Sequence, residues 1–282
     1  DYIRSKYKLA GTDSVKTDVT KELCKSFSKK TKKVLDFLDP EIHFLINFKN
    51  ESCQLYSKPI IFSGRYVKTI RGITQKQKSC INCNGDGCRT CLLHGISEFT
   101  SIEGIISLYL FKKFGGTTTK FTWIGGEDKS SLVLGTGRPF FVKLNHPNKR
   151  TSKLTSIDLD SIKLKNLKII DKFPQKPILF SSSIEIKISS KSIIDSQYLK
   201  TLKNICNNPV MVYEKSGKRF EKQIFSLSYK KHSLHNFSLF VKVEGGVPIR
   251  RFIEGGDVSP NISDVLNCKC TCEEFDFHDI EV

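Results

Sequence analysis

Four cysteines spaced Cys80-x-x-Cys83-x4-Cys88-x-x-Cys91 constrain this chain more than any other stretch. Each Cys-x-x-Cys turn can aim two thiolates at one ion. Gly85 and Gly87 let the backbone double back between the turns, so the spacing predicts a tetrahedral four-sulfur metal site. Zinc is the expected metal, ahead of iron. Its expected role is structural, because four thiolates close the coordination sphere and leave no position for water. His94 lies nearby but is not needed as a ligand. Ten cysteines in a short secreted chain would suggest disulfides, whereas in 282 lysine-rich residues without a secretion signal they read as reduced thiols and metal ligands. Cys268-x-Cys270-x-Cys272 lacks the metal geometry; along a strand this spacing puts all three on one face, as a buried or redox-prone set.

Lys and Arg number 46 against 29 Asp and Glu, a net charge of +17. Such an excess attracts polyanions through counterion release, which makes nucleic acid the leading partner class and an anionic membrane surface the second. The charge is spread through Lys25–Lys33, Lys163–Lys176 and Lys215–Lys231 rather than gathered in a tail. No run is long and apolar enough to cross a bilayer, so no membrane partner is expected and the expected location is intracellular, cytoplasmic or nuclear. No protein partner is implied, and a monomer is expected.

Along the chain, Lys16–Leu38 has a roughly helical period, Ile42–Phe48 alternates as a strand, and Ile60–Val67 gives another strand bent at Gly64. Ser101 caps a helix running to Lys113 and closed by Gly115-Gly116. Ile184, Ile186 and Ile188 alternate as a strand, Gln197–Cys206 reads as a short helix, and Lys222–Tyr229 and Phe237–Val243 as two further strands. The fold class expected is α+β with a largely antiparallel central sheet.

Between the capped helix and the later strands lies Phe121–Leu144, FTWIGGEDKSSLVLGTGRPFFVKL. Gly125 and Gly126 set Glu127 and Asp128 on a turn between two apolar runs. Gly135-Thr136-Gly137-Arg138-Pro139 reads as a second turn, whose arginine could face the carboxylates. On spacing alone this is a β-hairpin with an acidic tip.

GRYVKTIR (Gly64–Arg71), CINCNGDGCRTC (Cys80–Cys91), FTSIEGII (Phe99–Ile106) and GEDKSSLVLGTGRPFFVKLNHPNKR (Gly126–Arg150), in this order, resemble the archaeal and eukaryotic tRNA pseudouridine synthase family that acts on T-loop uridines. A weaker similarity continues through NPVMV (Asn208–Val212) and VEGGVPIRRFIEGGDVSPNISDVL (Val243–Leu266). The resemblance implies a THUMP-like RNA-binding module over 1–75, a zinc loop over 76–98 and a catalytic domain over 99–282. It implies Arg65, Lys68 and Arg71 on phosphate, although as residues they read equally as exposed bases on an edge strand. Asp128 becomes the catalytic carboxylate, acting on the ribose carbon or on a ribose proton, with tRNA as partner, structural zinc and no organic cofactor.

Several positions depart from the family. Its arginine two before the aspartate is Gly126, its second aspartate is Ser130, and its loop-ending arginine is Leu132. Its tyrosine after the loop falls near Ser183, and the arginine after Thr-Pro-Leu is Met211. Its Tyr-Ile-Lys of the last strand becomes Pro248-Ile249-Arg250. The resemblance thus gives Arg138, Arg250, Ser183 and Ile249 as substrate-side residues, with Arg138 and Arg250 on phosphate or on the carboxylate. Two readings follow. One is an active synthase using Asp128; the alternative is a catalytically impaired tRNA-binding relative acting as an RNA chaperone or assembly factor. A zinc-containing DNA-binding protein is a third, more distant reading.

Overall fold

The computed structural model describes residues 2–8, 14–150, 154, 156–214 and 216–282. Lys215, the first of the run to Lys231, lies outside them. Contacts divide the chain into two units, 1–58 and 59–282.

The first unit holds α1 (Tyr2–Lys6), α2 (Val15–Thr31), β1 (Ile42–Asn47) and β2 (Ser52–Ser57). Ser14 caps α2 by accepting the Thr17 N–H at 3.1 Å, and Lys32 ends it in the left-handed region. The helix expected to reach Leu38 therefore stops at Thr31. β1 and β2 pair as an antiparallel hairpin, on which His43 and Tyr56 stack with ring centroids 4.9 Å apart.

The second unit contains β3 (Ile60–Lys68), α3 (Ile102–Phe114), β4 (Thr119–Trp123), β5 (Val133–Leu144), β6 (Ile157–Leu159), β7 (Ile162–Ile170) and β8 (Ser181–Ser190). It continues with α4 (Ser196–Thr201), β9 (Val210–Tyr213), β10 (Arg219–Lys222), β11 (Ile224–Lys231), β12 (Asn236–Glu244), α5 (Ile249–Glu254), β13 (Val258–Ser259), α6 (Ile262–Val265) and β14 (Cys270–Glu281). The large sheet runs β11-β12-β8-β14-β5-β3-β7-β6, with β4 also on β5. Its pairings are antiparallel except β14 on β5, as the α+β, largely antiparallel expectation requires.

Alternation makes this sheet one-sided. In β8, Ile184, Ile186 and Ile188 are buried while Ser183, Glu185 and Lys187 face outward. The buried face meets α3, whose Ile102, Ile106, Leu110 and Phe114 recur every fourth residue, and whose Phe114 packs 5.0 Å from Phe62. Ser101 accepts the Gly104 N–H at 3.0 Å, and Gly115 at φ 69° closes the helix on the Phe111 carbonyl.

Three expectations need correction. β3 was assigned to a module over 1–75, yet it is paired on both sides, with β5 and β7, so the division falls after Lys58. Gly135–Pro139 is not a terminal turn but a bulge inside β5, where the pairing with β3 shifts between Tyr66 and Lys68. Pro248-Ile249-Arg250 is not in the last strand: Ile249 and Arg250 open α5, and the last strand is β14, at the middle of the sheet.

The bulge depends on glycine. A Cβ on Gly137, at φ 83°, would lie 2.5 Å from the Tyr66 carbonyl oxygen. Gly137→Ala should therefore cost about 2 kcal/mol or more in urea unfolding. Gly217→Ala, with φ 81° but open space around it, should cost about 1 kcal/mol and serves as the control.

Candidate active site

The segment between β4 and β5 carries two adjacent carboxylates that point in opposite directions. Gly125, at φ 74°, opens the turn, and a Cβ there would come within 2.7 Å of both Arg138 Nη1 and the Phe180 ring. Glu127 then points inward with no exposure, while the Asp128 side chain keeps 30%.

Glu127 sits in a closed cage. Lys68 Nζ lies 3.0 Å from its Oε1 and Arg138 Nε 3.5 Å from its Oε2, and the Tyr66 hydroxyl donates to Oε2 at 2.9 Å. Burial, then the Glu127 charge, push the Tyr66 phenol well above its ordinary value, so it stays a donor. Lys68 also donates to the backbone carbonyls of Asp128 at 3.2 Å and Ile73 at 3.1 Å. Arg138 Nη1 donates to the Ile124 carbonyl at 2.8 Å, and its guanidinium lies 4.3 Å from the Phe277 ring centroid.

Asp128 faces outward onto Arg250. Arg250 Nε donates to Asp128 Oδ2 at 2.8 Å, Nη2 to Ser130 Oγ at 3.1 Å and Nη1 to the Cys272 carbonyl at 2.8 Å. The Ser130 N–H donates to Asp128 Oδ1 at 3.2 Å. Burial raises the Asp128 carboxyl, but Arg250 and the Ser130 N–H outweigh it and hold the acid below the usual carboxylate range. Asp128 is thus ionised at neutral pH, oriented, and partly open to solvent.

The far flank of the loop is held as firmly. Asp276 on β14 accepts the Leu132 N–H at 2.9 Å and a forked pair from Arg71 at 2.6 and 2.7 Å. Arg71 also donates to the Ser130 carbonyl, and the Gly72 N–H to the Lys129 carbonyl at 2.8 Å.

The structure redistributes the residues singled out from sequence. Arg250 is brought to Asp128, while Arg138 is brought to Glu127 instead. Lys68, expected on phosphate, is fully buried because it neutralises Glu127. Arg71 is engaged by Asp276 and Glu274. Arg65 donates to the backbone carbonyls of Thr136 and Gly137, at 3.0 and 2.8 Å. Ile249 is buried at the start of α5 and offers little surface. Ser183 lies on β8 opposite Lys242 and Asp279, with no contact to Asp128 among the described residues.

Phe180 was missed. This partly buried ring, three residues before Ser183, packs so closely on Gly125 and Gly245 that a Cβ on Gly245 would lie 2.3 Å from it. Its signal in sequence was an aromatic residue directly before a serine-rich alternating strand.

The Cys80, Cys83, Cys88 and Cys91 sulfurs lie within 4.8 Å of one another and could hold one metal ion. Three separations of 3.7 to 3.9 Å match the ~3.8 Å edge of a tetrahedron with ~2.3 Å metal–sulfur bonds. Gly87 and Cys88 N–H groups point at Cys83 and Cys91 sulfurs at 3.2 Å, and backbone donors, Cys88 first, pull the Cys91 thiol down to about 6. Gly85 and Gly87 take φ of 106° and 91°, as the doubling back requires. His94 is no ligand: it stacks 4.0 Å from Phe111 and bonds the Thr117 carbonyl at 2.9 Å. Cys270 and Cys272 are buried in β14 with thiols pushed up to about 12, first by burial.

Residues 61–281 match the family model described as Pus10, C-terminal. The chain is 61% identical over 282 residues to the tRNA pseudouridine synthase Pus10 of Nitrosopumilus maritimus (strain SCM1), covering all of this chain and 74% of that protein. It is 34% identical over 283 residues to the protein of the same name from Cenarchaeum symbiosum (strain A), covering 100% and 70%. To that of Methanosphaera stadtmanae it is 26% identical over 300 residues, covering 94% and 73%.

Lys68→Met strands Glu127 in the interior and should cost about 3–5 kcal/mol in urea unfolding. Pairing it with Glu127→Gln should recover part of that loss. Cys83→Ser should lower the bound metal to well below one equivalent by elemental analysis and lower the melting temperature.

Proposed function

The chain belongs to the Pus10 family of tRNA pseudouridine synthases, and on that premise we propose that it isomerises uridine to pseudouridine in the tRNA T-loop with Asp128 as the catalytic carboxylate. The N1–C1′ bond of the nucleotide breaks, the base turns in place, and C5 bonds to C1′. C5 then loses its proton and N1 gains one, so atoms and electrons balance with no redox partner. Asp128 acts either on the ribose carbon or on a ribose proton. Both roles need an ionised, oriented carboxylate that a flipped nucleotide can reach.

The observation that carries this reading is the Asp128–Arg250 pair, with Oδ2 and Nε 2.8 Å apart on a partly open side chain. Arg250 supplies from α5 the orienting charge that the family places at the position of Gly126. That replacement favours turnover over a binding-only relative. Phe180, against the loop-opening Gly125, is the aromatic surface on which the base lies. The four-cysteine loop fits structural zinc: its thiolates complete a tetrahedron, so zinc holds the loop and takes no part in the reaction. The first unit serves as the RNA-binding module, of THUMP type.

Incubating a T-arm transcript with wild type and Asp128→Ala tests the activity. Wild type should form pseudouridine, and the variant should be slower by about three decades or more with unchanged affinity. Tight binding by wild type without product would leave only the binding role. The same assay reads the pH dependence. Because Arg250 lowers the Asp128 pKa, Arg250→Met should raise it. Wild type should therefore lose rate only well below neutrality, and the variant should lose it at higher pH. Coincident acid limbs would refute the pairing role.

A further inference from the structure

The outward face of the large sheet is sorted by charge. Four neighbouring strands, β4, β5, β3 and β7, contain no acidic residue at all. In the adjoining part, β8 holds Glu185 and β14 holds Glu273, Glu274, Asp276, Asp279 and Glu281, many in ion pairs or hydrogen bonds.

Pairing register converts this composition into geometry. Lys120, Lys143 and Ile61 stand side by side across β4, β5 and β3. Thr122, Phe141, Ser63 and Lys168 form the next outward row, and Arg65 with Lys165 a third. Their strand neighbours Phe62, Phe140 and Val142 are buried, whereas Lys120 and Lys168 are exposed and Phe141 and Lys143 half-buried. Lys165 bonds the Gly135 carbonyl at 2.8 Å and Arg65 is held by the β5 bulge, so both are fixed in place. Lys120, Lys143 and Lys168 make no ion pair among the described residues.

Stability does not account for this pattern. Like charges directly opposite one another, as in Lys120 with Lys143 and Arg65 with Lys165, weaken strand pairing. Lysines also guard sheet edges, which covers Lys120 on β4 and Lys168 on the stretch of β7 that β6 does not reach, but Lys143 and Arg65 stand on interior strands bonded on both sides. A polyanion removes the repulsion and gains from releasing its counterions.

We propose that this acid-free face is the docking surface for the double-helical part of the RNA substrate, with phosphates on Lys120, Lys143 and Lys168 and the Phe141 ring between the rows. The proposal rests on the RNA-modifying reading above. Lys68 pairs with Val133, where the Asp128 loop ends, and Ile61 pairs with Lys143; the stretch of β3 between them spans about 23 Å at ~3.3 Å per residue. An RNA with its stem on the lysines would reach the Asp128 loop past the Lys68 end of β3.

The test compares wild type, Lys120→Glu/Lys143→Glu/Lys168→Glu, and a control with the same charge change on exposed lysines elsewhere, Lys200→Glu/Lys203→Glu/Lys218→Glu. Binding of a tRNA transcript is measured across salt concentrations, and pseudouridine formation in single turnovers at saturating protein. The sheet-face variant should bind about tenfold or more weakly, with the slope of log Kd against log salt reduced by about 2–3. Its rate at saturation should stay within about threefold of wild type, and the control should bind nearly as wild type. Equal affinity and slope for the sheet-face variant, or an equal loss in the control, would overturn the proposal. If wild type forms no pseudouridine yet loses affinity only through the sheet-face lysines, the surface stands and the enzymatic reading falls.

Discussion

The Lys68–Glu127 pair, with neither side chain exposed, is the interaction on which the loop carrying Asp128 depends. Two consecutive carboxylates repel each other, and without an internal cation both would turn to water. Lys68 draws one inward and at the same time holds the backbone carbonyl of the next residue, so Asp128 is left facing out from a fixed point. A buried ion pair adds little net stability over apolar residues of similar size, because desolvation offsets most of the attraction. What it fixes is the loop conformation: with Arg138 and Tyr66 on the other carboxylate oxygen, Glu127 has one place to go.

Around that anchor, the loop is gripped by side chains from widely separated parts of the chain. Lys68 and Arg71 come from β3 and the turn after it, Arg250 from α5 and Asp276 from β14. Each bonds a different point between Glu127 and Leu132, so the placement of Asp128 is a property of the assembled sheet and not of the loop. The glycines at 125 and 137 serve the same end, allowing Phe180 and the Tyr66 backbone to approach more closely than any side chain would permit.

Features set by neighbours in sequence were legible without coordinates. The Ser101 cap, the Gly115 stop, the alternating isoleucines of β8 and the cysteine loop all rest on spacings of two to five residues, and all appear where the spacing puts them. Features set by distant partners were not. Lys68 looked like a surface base because the buried carboxylate that claims it lies far off in sequence, in the segment between β4 and β5. The partners of Arg71 and Arg65 were hidden for the same reason, their acceptors being on β14 and in the β5 bulge. The GTGRP segment has the composition of a turn, but tertiary pairing with β3 draws it into a strand. Likeness to a family is what drew attention to Asp128, and it left Arg250 on phosphate or on the carboxylate; in the fold its guanidinium lies on the carboxylate.

The parallel pairing of β14 with β5 has a bearing on how the protein comes to exist in a cell. The strand in the middle of the sheet follows every other strand of that sheet in sequence, so β5 and β8 must wait beside an open slot until it is synthesised. Until that slot fills, Leu132 and Arg71 lack their acidic partner and two strand borders remain unsatisfied. Unpaired strand borders of that kind make a nascent polypeptide adhesive, and the pairing that closes them joins segments far apart in sequence, which is the slow kind.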